Sequence, residues 1–495
     1  MKRVRGAMAG GAVVLAATLA GGGPAVAAGG WTHAAAWGWN AQGQLGDGTQ
    51  TARSVPVAVV SSGLGLVKVA SGSTHSLGLG ADGTLWAWGA NDKGQLGDGT
   101  TTDRAVPVEV PLTGVKSIAA GGRFSLAIRV DGTVWAWGQG TEGELGNGTA
   151  SGSGTPVQVA GLTGVVEVAG GVQHGVALKS DGTVWAWGAN DKGQLGDGTT
   201  TDRAVPVRSG SSAGYAHIAA QSVTTVATRA DGTAWSWGQQ WPFTSVFTSP
   251  AQVQGIGQVA SIAQGENHTL AVRTDGTVWA WGVNYAGQLG DGTTTDRLQP
   301  VQVAGLTGIK QVAGGFWMSE ALRSDGTVAS WGLNYAGQLG DGTTTTRLTP
   351  VSVPGLTGVT QIALGDRPGF STASHTLVAR SVPKPGFTVS LDPDDVRLPA
   401  GGSIEILVRV NGPGQKVTLS TGAGKGGLGL PPGVTARFSP QTVRAGGTAT
   451  LLLTAAPDAP PSHGESTAVG ITGTSALPSG TSSTSLLIYV TDPVA

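Results

Sequence analysis

The string WAWGANDKGQLGDGTTTDRAVPV occupies residues 86–108 and returns unchanged at residues 185–207. Related strings recur along the chain. The glycine that follows their last tryptophan falls at seven positions: Gly38, Gly89, Gly138, Gly188, Gly238, Gly282 and Gly332. A period of about fifty residues is typical of arrays in which each repeat is one supersecondary unit, either a propeller or a solenoid. This repeat therefore decides the fold.

Each complete unit reads approximately G-x-x-H-S-L-A-L-x-x-D-G-T-V-W-A-W-G. Alternating small and large apolar residues on both sides of an Asp-Gly pair predict a β-hairpin, because glycine accepts the positive φ of a tight turn. In W-A-W both indoles lie on one side of the strand and the alanine faces the other. Blades that pack face to face need this fit of large against small residues.

The number of turns indicates how the array closes. The strand before the turn is present seven times, but the Asp-Gly turn only six times, at Asp82, Asp131, Asp181, Asp231, Asp275 and Asp325. The unit without a turn has one strand that ends near Arg380 and one that begins near His33, so the two ends must share a blade. Closure leaves no exposed sheet edge at the seam, whereas an open solenoid needs caps. We predict a seven-bladed β-propeller over residues 31–380.

These motifs carry a resemblance to a known family. W-A-W-G-x-N-x-x-G-Q-L-G-D-G-T, together with G-x-x-H-S-L-A-L, resembles the repeat of the regulator of chromosome condensation family over residues 31–380. The resemblance implies a seven-bladed β-propeller. In that family one face can serve nucleotide exchange on a small nuclear GTPase, and related secreted bacterial propellers include an inhibitor of β-lactamases. Fold transfers well between such relatives, and function transfers poorly.

Both ends of the chain differ from the repeats in composition. Residues 1–28 combine early basic residues, an apolar run and the tripeptide Ala-Val-Ala, which is the pattern of a secretory signal peptide and predicts an extracellular protein. After a linker at residues 381–385, apolar stretches alternate with Gly, Pro and Ser turns. They predict a small immunoglobulin-like β-sandwich over residues 386–493, so the whole chain is expected to be all-β.

Composition excludes several classes of function. A net charge of -1, with charged residues at 12%, offers no basic surface for nucleic acid. The absence of cysteine excludes disulfides, thiol catalysis and cysteine-ligated metal. No segment after the signal is long and apolar enough to span a membrane. We expect a monomer without a cofactor.

Aromatic residues outside the W-x-W positions gather in loops at one end of the predicted hairpins. A hairpin places the G-x-x-H and W-G-x-N loops of every unit on one propeller face and the Asp-Gly turns on the other. Aromatic side chains with an occasional arginine on a rigid scaffold are typical of protein-binding surfaces. The predicted contact residues are Trp39, Phe124, Trp241, Phe243, Tyr285, Phe316, Trp317, Tyr335, Arg367 and Phe370.

One copy abandons the repeat in this region. Residues 239–250 read QQWPFTSVFTSP where most other copies carry x-N-x-x-G-Q-L-G-D-G-T. We interpret the change as a loop that serves recognition, while the regular copies hold the ring closed. The alternative is that its aromatics pack on a neighbouring blade or beneath the C-terminal module.

The ionisable residues are interpreted as structural. His75, His174, His268 and His375 occupy one repeated position, which favours a buried histidine hydrogen-bonded to backbone over a metal ligand. The aspartates of G-D-G-T recur too regularly for catalysis and are expected to fix turns. Glu266, Glu320 and the pair Glu142 and Glu144 stand out, but no nucleophile or partner accompanies them. We predict no catalytic residue and no metal site.

The sequence therefore predicts a secreted, non-enzymatic binding protein. It would recognise an extracellular protein, for which an enzyme that it inhibits is one candidate, through the aromatic face. A carbohydrate-binding or cell-wall-binding module is the alternative, because exposed Trp and Tyr also stack on sugars. Guanine nucleotide exchange, which the resemblance also suggests, is disfavoured because export separates the protein from a cytosolic GTPase.

Overall fold

The computed structural model describes most of the repeat region and the strands that follow it. The described residues are 34–60, 64–242, 245–365, 374–381, 388–392, 395–399, 403–411, 416–423, 430, 434–444, 447–456, 467–476 and 479–491. The predicted signal peptide and nearly all of the predicted linker lie outside these ranges. Within them, no helix is both long and apolar enough to cross a membrane.

The repeats form seven four-stranded antiparallel sheets, which confirms the predicted propeller. We number the blades 1 to 7 along the chain, and blade 1 contains Ala34–Gly38. In blade order, the inner strands are Val359–Leu364, Leu66–Ser71, Val115–Ala120, Val165–Gly170, Tyr215–Gln221, Val259–Gln264 and Ile309–Gly314. The second strands are His375–Arg380, His75–Gly80, Phe124–Arg129, His174–Lys179, Thr224–Arg229, His268–Arg273 and Met318–Arg323.

The remaining two strands of each blade carry the W-x-W motif and the outer edge. The third strands are Ala34–Gly38, Leu85–Gly89, Val134–Gly138, Val184–Gly188, Ala234–Gln240, Val278–Gly282 and Val328–Gly332. The outer strands are Arg53–Ala58, Arg104–Val110, Ser153–Gln158, Arg203–Arg208, Ser245–Gln252, Arg297–Gln302 and Arg347–Ser352. Every outer strand contains a proline, which lacks an N–H and so blunts the exposed edge against further pairing.

Blade 1 contains strands from both ends of the repeat region. Its third strand, Ala34–Gly38, pairs antiparallel with the second strand, His375–Arg380, in a register that joins Ala34 to Ala379 and Gly38 to His375. The inner strand of this blade contacts the inner strands of blade 2 and blade 7. The sheets therefore form a closed ring, and the seam lies inside a blade.

The second indole of each W-x-W motif fills the space between two blades. Trp88, for example, is fully buried against Ala34, Ala36 and Leu377 of blade 1. The equivalent tryptophans of five other blades are also 0% exposed, whereas Trp281 is 8% exposed. Large indoles against small alanines thus form the interblade core.

The G-Q-L-G-D-G-T loop is organised by its own polar side chains. In blade 2, Asn91 Oδ1 accepts a bond from Leu96 N at 3.0 Å, and Asn91 Nδ2 donates to Asp98 Oδ1 at 3.1 Å. Asp98 also accepts from Thr100 N and pairs with Arg104 at 2.8 Å. Blades 1, 4, 6 and 7 repeat this network. The repeated aspartates therefore fix turns, as predicted.

The C-terminal strands form two sheets. One contains Thr388–Asp392, Ser403–Asn411, Thr448–Ala455 and Val434–Ser439. The other contains Asp395–Pro399, Ser479–Thr491, Thr467–Ala476, Lys416–Ala423 and Thr442–Arg444. Ile406 and Leu451 of the first sheet share one apolar core with Leu419 and Val443 of the second, which is the arrangement of a β-sandwich. Its assignment as immunoglobulin-like stays a prediction.

Candidate functional site

One propeller face carries two loops from every blade. The connections from inner to second strand and from third to outer strand emerge at the same end of the sheet, and we call this end the loop face. The two kinds of connection touch: in blade 2, Ala90 N donates to Thr74 O at 2.9 Å. The Asp-Gly turns lie at the opposite end. Among the described residues the two loops of each blade are therefore joined at the same end of the ring.

Three aromatic residues from blades 6 and 7 form a cluster on the loop face. The rings of Phe316 and Trp317 stack with centroids 4.7 Å apart, and Tyr285 meets Trp317 edge-on at 6.1 Å. Phe316 is buried, Trp317 is half-buried and Tyr285 is 64% exposed. The cluster thus rises in steps from the core to the solvent. We call these three residues the aromatic cluster.

The backbone at the aromatic cluster has an unusual conformation. Trp317 adopts a φ of +51°, which bulky residues rarely do, and such strained positions are found disproportionately at functional sites. A buried serine fixes the surroundings: Ser374 Oγ accepts from Phe316 N, and Ser374 O accepts from Trp39 N, both at 3.0 Å. The half-buried Trp39 of blade 1 is thereby tied to the same loops.

The other predicted contact residues lie in different surroundings. Tyr335 is 62% exposed on the loop face of blade 7, and Trp241 is half-buried between blades 5 and 6. Phe243, Arg367 and Phe370 lie outside the described residues.

Two predicted contact residues are corrected by their burial. Phe124 is 0% exposed and Phe316 is 1% exposed, so neither can touch a partner directly. Phe124 begins the second strand of its blade, and its ring lies against Gly121, where other blades place a histidine. Phe316 instead supports Trp317 from below. Phe316 lies in the predicted loop, whereas Phe124 belongs to the second strand and not to the loop, and both side chains are buried.

The four repeated histidines join neighbouring blades. Each is buried, and its Nε2 lies 2.8 to 3.0 Å from a hydroxyl of the next blade, in the pairs His75 with Ser125, His174 with Thr225, His268 with Ser319 and His375 with Ser76. The prediction of burial is confirmed, but the predicted backbone partner is wrong. Burial lowers the pKa of His75 to about 4 and those of the other three to about 3, which keeps the rings neutral.

The direction of these hydrogen bonds follows from the hydroxyl. In blade 3, Ser125 Oγ donates its proton to Gln95 O at 2.8 Å and therefore accepts from His75 Nε2. Gln95 belongs to the G-Q-L-G loop of blade 2, so each histidine, hydroxyl and loop forms one interblade link. No group of three His, Asp or Glu side chains that could hold a metal occurs among the described residues.

The link is absent between blades 3 and 4, where both of its side chains are replaced. Phe124 replaces the histidine, and Gly175 of blade 4 replaces the hydroxyl residue that would accept from it. The indole of Trp187 occupies the space beside Gly175. The paired change was visible in the sequence, but only knowledge of which strands face each other gives it meaning.

Two buried glutamates have structural partners. Glu320 is 0% exposed, and its Oε1 accepts from Thr376 Oγ1 of blade 1 at 2.7 Å. Burial raises the pKa of Glu320 to about 8. Glu144 replaces the loop glutamine in blade 3 and accepts from Glu142 N and from Gln139 Nε2. The hydroxyl beside Glu320 is thus that of Thr376, which joins blade 7 to blade 1.

The axis of the ring is open, and the described residues that line its channel are uncharged. The inner strands of all seven blades enclose a channel of about 260 Å³. Small apolar residues line it, and among the described residues its polar side chains are Ser71, Gln221, Gln264 and Gln361. The inner strands of blades 4 and 5 also carry an ion pair outside this lining, in which His217 Nδ1 lies 3.6 Å from Glu167 Oε2.

Blade 5 departs from the repeat by shortening a loop. In blade 6, 17 residues separate Gly282 from the outer-strand Pro300, whereas 11 separate Gly238 from Pro250. Instead of the loop, the blade 5 hairpin continues, with Gln239 paired to Val246 and Gln240 to Ser245. The described part of this hairpin therefore has no counterpart of the G-Q-L-G turn.

The shortened loop opens a cleft between blades 5 and 6. Its volume is about 20 Å³, and its lining includes Gln239, Trp241, Asn267 and Trp281. We call it the blade 5–6 cleft. Trp281 borders it and is the interblade indole that retains exposure. The irregular copy is visible in the sequence, but the side chain whose exposure differs, Trp281, belongs to the neighbouring blade.

Family models match most of the repeat region. Residues 16–243 match the RCC1-like domain, residues 275–322 and 325–369 match the regulator of chromosome condensation (RCC1) repeat, and residues 259–288 match a second model of that repeat. No curated protein matches the chain in sequence.

Solved structures share the fold at low sequence identity. Human WBSCR16 is 24% identical with a TM-score of 0.61, covering 70% of this chain and 98% of its own. Prp20p from Saccharomyces cerevisiae, described with its binding to Gsp1p and histones, is 22% identical with a TM-score of 0.61. The match covers 70% of this chain and 91% of Prp20p. Yeast RCC1 (Prp20) bound by Kap60 is also 22% identical with a TM-score of 0.61, and the match covers 70% of this chain and 89% of the yeast chain. At this identity the likeness concerns the fold alone.

Proposed function

The chain belongs to the regulator of chromosome condensation (RCC1) repeat family, and from this premise we propose that it is a secreted, non-enzymatic binding protein that recognises an extracellular protein through its loop face. RCC1-like propellers commonly mediate protein binding. The pattern of residues 1–28 supports export. The partner of this chain would therefore be met outside the cell.

The aromatic cluster is the observation that carries the proposal. Aromatic side chains that are held rigidly lose little conformational entropy on binding, and they dominate the energetics of protein interfaces. Trp317 is held by stacking on Phe316, and Tyr285 leans on Trp317 while most of its own surface faces solvent. The exposed Tyr335 extends the surface across blade 7. Trp317 would thus serve as the anchor of the binding surface, with Tyr285 and Tyr335 at its rim.

The roles of the ionisable side chains support a function without catalysis. The repeated histidines are neutral interblade links, the loop aspartates hold arginines and turns, and Glu320 is bonded to a threonine. Each of these groups is engaged by the scaffold. A binding surface needs no more from them than a stable ring.

A capture experiment tests the proposal. The full chain would be immobilised and exposed to culture medium and cell-envelope extract, beside a variant with Tyr285→Ala, Trp317→Ala and Tyr335→Ala. A matched control carries Val130→Ala and Val166→Ala, which are 72% and 50% exposed at the opposite face, beside an Asp-Gly turn and at the start of an inner strand. Thermal melting would establish that all three proteins are folded.

We expect one protein to be retained by the parent and the control and lost by the aromatic variant. Retention by all three would place recognition elsewhere on the chain. Capture of insoluble glycan instead of protein, again lost in the aromatic variant, would replace the proposed protein partner with a carbohydrate.

A further inference from the structure

The regular interfaces show what normally covers the interblade indole. In six of the seven blades the second glycine of G-Q-L-G lies on the indole of the next blade, so closely that an added Cβ would fall 2.7 or 2.8 Å from the ring. These pairs are Gly46 with Trp88, Gly97 with Trp137, Gly146 with Trp187, Gly196 with Trp237, Gly290 with Trp331 and Gly340 with Trp37. A backbone turn is thus the usual cover.

The same turn supplies a hydrogen-bond acceptor. Trp88 Nε1 donates to Gln44 O at 2.9 Å, and Trp331 Nε1 donates to Gln288 O at 2.9 Å. In blade 4, Trp187 donates to Glu144 O at 2.8 Å. The carbonyl stands two residues before the covering glycine. Trp37, Trp137 and Trp237 lie under the same glycine, but their Nε1 atoms have no hydrogen-bond partner among the described residues. The element common to the six interfaces is therefore the covering glycine turn, and its carbonyl bonds the indole in three of them.

The blade 5–6 cleft lacks this element. Trp281 Nε1 donates to no carbonyl within the described part of the chain, and Thr269 turns its hydroxyl to Gln264 Oε1 at 2.7 Å instead of to a loop. Two further polar groups remain available there. Gln239 makes no side-chain hydrogen bond among the described residues, and Trp241 Nε1 is buried without a partner.

We propose that the blade 5–6 cleft receives a glycine-containing backbone turn from the protein partner, which seats on Trp281 as the G-Q-L-G turns seat on the other six indoles. The inference rests on the proposed function, and it names a second contact of that function beside the aromatic cluster. A volume of about 20 Å³ has room for one water-sized group such as a carbonyl oxygen. The carbonyl accepts from Trp281 Nε1, and the Gln239 amide bonds the same turn.

The chain provides its own probe. A synthetic peptide with the sequence AGQLGDGT, residues 286–293, carries the turn that covers Trp331. The matched control peptide carries Gly290→Val, because any side chain at that position collides with the indole. The full-length protein would be labelled with ¹⁵N, and the indole N–H signals of Trp281 and Trp331 assigned through Trp281→Phe and Trp331→Phe.

We expect the first peptide to move the Trp281 signal in a saturable way and to leave the Trp331 signal in place. The Gly290→Val peptide should have no effect. Gln239→Ala should weaken binding about five-fold, which corresponds to one hydrogen bond of about 1 kcal/mol. A second variant replaces residues 239–249 with residues 283–299, which restores the regular loop, and it should abolish the response.

Three outcomes would overturn the inference. The Trp281 signal stays fixed at saturating peptide, both peptides move it equally, or a chitin oligosaccharide moves it where the peptide does not. Each of these results leaves the capture experiment on the aromatic cluster untouched, so failure of the cleft and failure of the proposed function are distinguishable.

Discussion

Replacement of Glu320 by leucine should make the stability of the propeller less dependent on pH. Six blades place Leu or Val at this position of the second strand, and blade 7 places a fully buried carboxyl there. The pKa of Glu320 is raised to about 8 by burial, against an ordinary value of 4.5. The folded state therefore keeps a proton that the unfolded chain has already released.

The sign and size of the effect follow from this difference. Between about pH 4.5 and pH 8 the folded state binds one proton more than the unfolded state, so the free energy of unfolding falls as pH rises. At 1.36 kcal/mol per pH unit the loss approaches about 5 kcal/mol by pH 8. Glu320→Leu removes it, but leaves the Thr376 hydroxyl without its acceptor at a cost of about 1 to 3 kcal/mol.

The variant should thus be the less stable protein at pH 4.5 and the more stable one at pH 8. Urea denaturation followed by tryptophan fluorescence measures this in the propeller alone, because no tryptophan follows Trp331 in the sequence. Glu320→Gln, which keeps an acceptor for Thr376 and does not titrate, serves as the control and should gain at pH 8 without the loss at pH 4.5.

A constant difference between wild type and Glu320→Leu from pH 4.5 to pH 8 would refute the reasoning. It would mean that the carboxyl titrates alike in both states, and hence that water reaches it in the folded ring.

Three further predictions concern the links between and within blades. His75→Phe and Ser125→Gly should each destabilise the ring by about 1 to 3 kcal/mol. The double variant copies the natural pair Phe124 and Gly175 of blades 3 and 4, and it should lose less than the sum of the two single losses; additive losses in urea denaturation would contradict the link. Asp98→Ala should cost about 1 to 3 kcal/mol because Asn91 and Arg104 lose their shared acceptor, and an unchanged melting temperature would count against that network. Trp331→Ala should cost about 3 to 5 kcal/mol and Trp281→Ala less, since Trp331 is fully buried under a glycine turn whereas Trp281 keeps 8% of its surface exposed; equal losses would show that the two indoles are packed equally well.

Repetition made the fold readable from the sequence. The Asp-Gly turn occurs six times and the strand before it seven times. Closure of the ring follows from these two counts without knowledge of packing. The network around Asn91 and Asp98 was equally local, because all of its members lie within fourteen residues of one another.

The candidate site was less readable because it depends on contacts between copies. Phe124 lies at the loop face by position, yet its ring points inward because the first residue of each second strand faces the next blade. The sequence shows that Glu320 replaces an apolar residue, but its burial follows from the approach of Thr376 across the seam. The six residues missing from blade 5 can be counted, whereas their effect on the packing of Trp281 appears only once the blades are placed side by side.

The blade that contains both ends of the repeat region also determines the order in which the blades can form. Gly38 pairs with His375, so roughly 340 residues must leave the ribosome before the strand Ala34–Gly38 can pair with the second strand of its blade, His375–Arg380. Blades 2 to 7 can form from consecutive segments as they are synthesised, but the seam closes last and pays the largest loop-closure entropy. In a growing chain one edge of Ala34–Gly38 can pair early with Arg53–Ala58, whereas its other edge waits for His375–Arg380, so the propeller becomes a ring only when nearly all of the repeat region has been made.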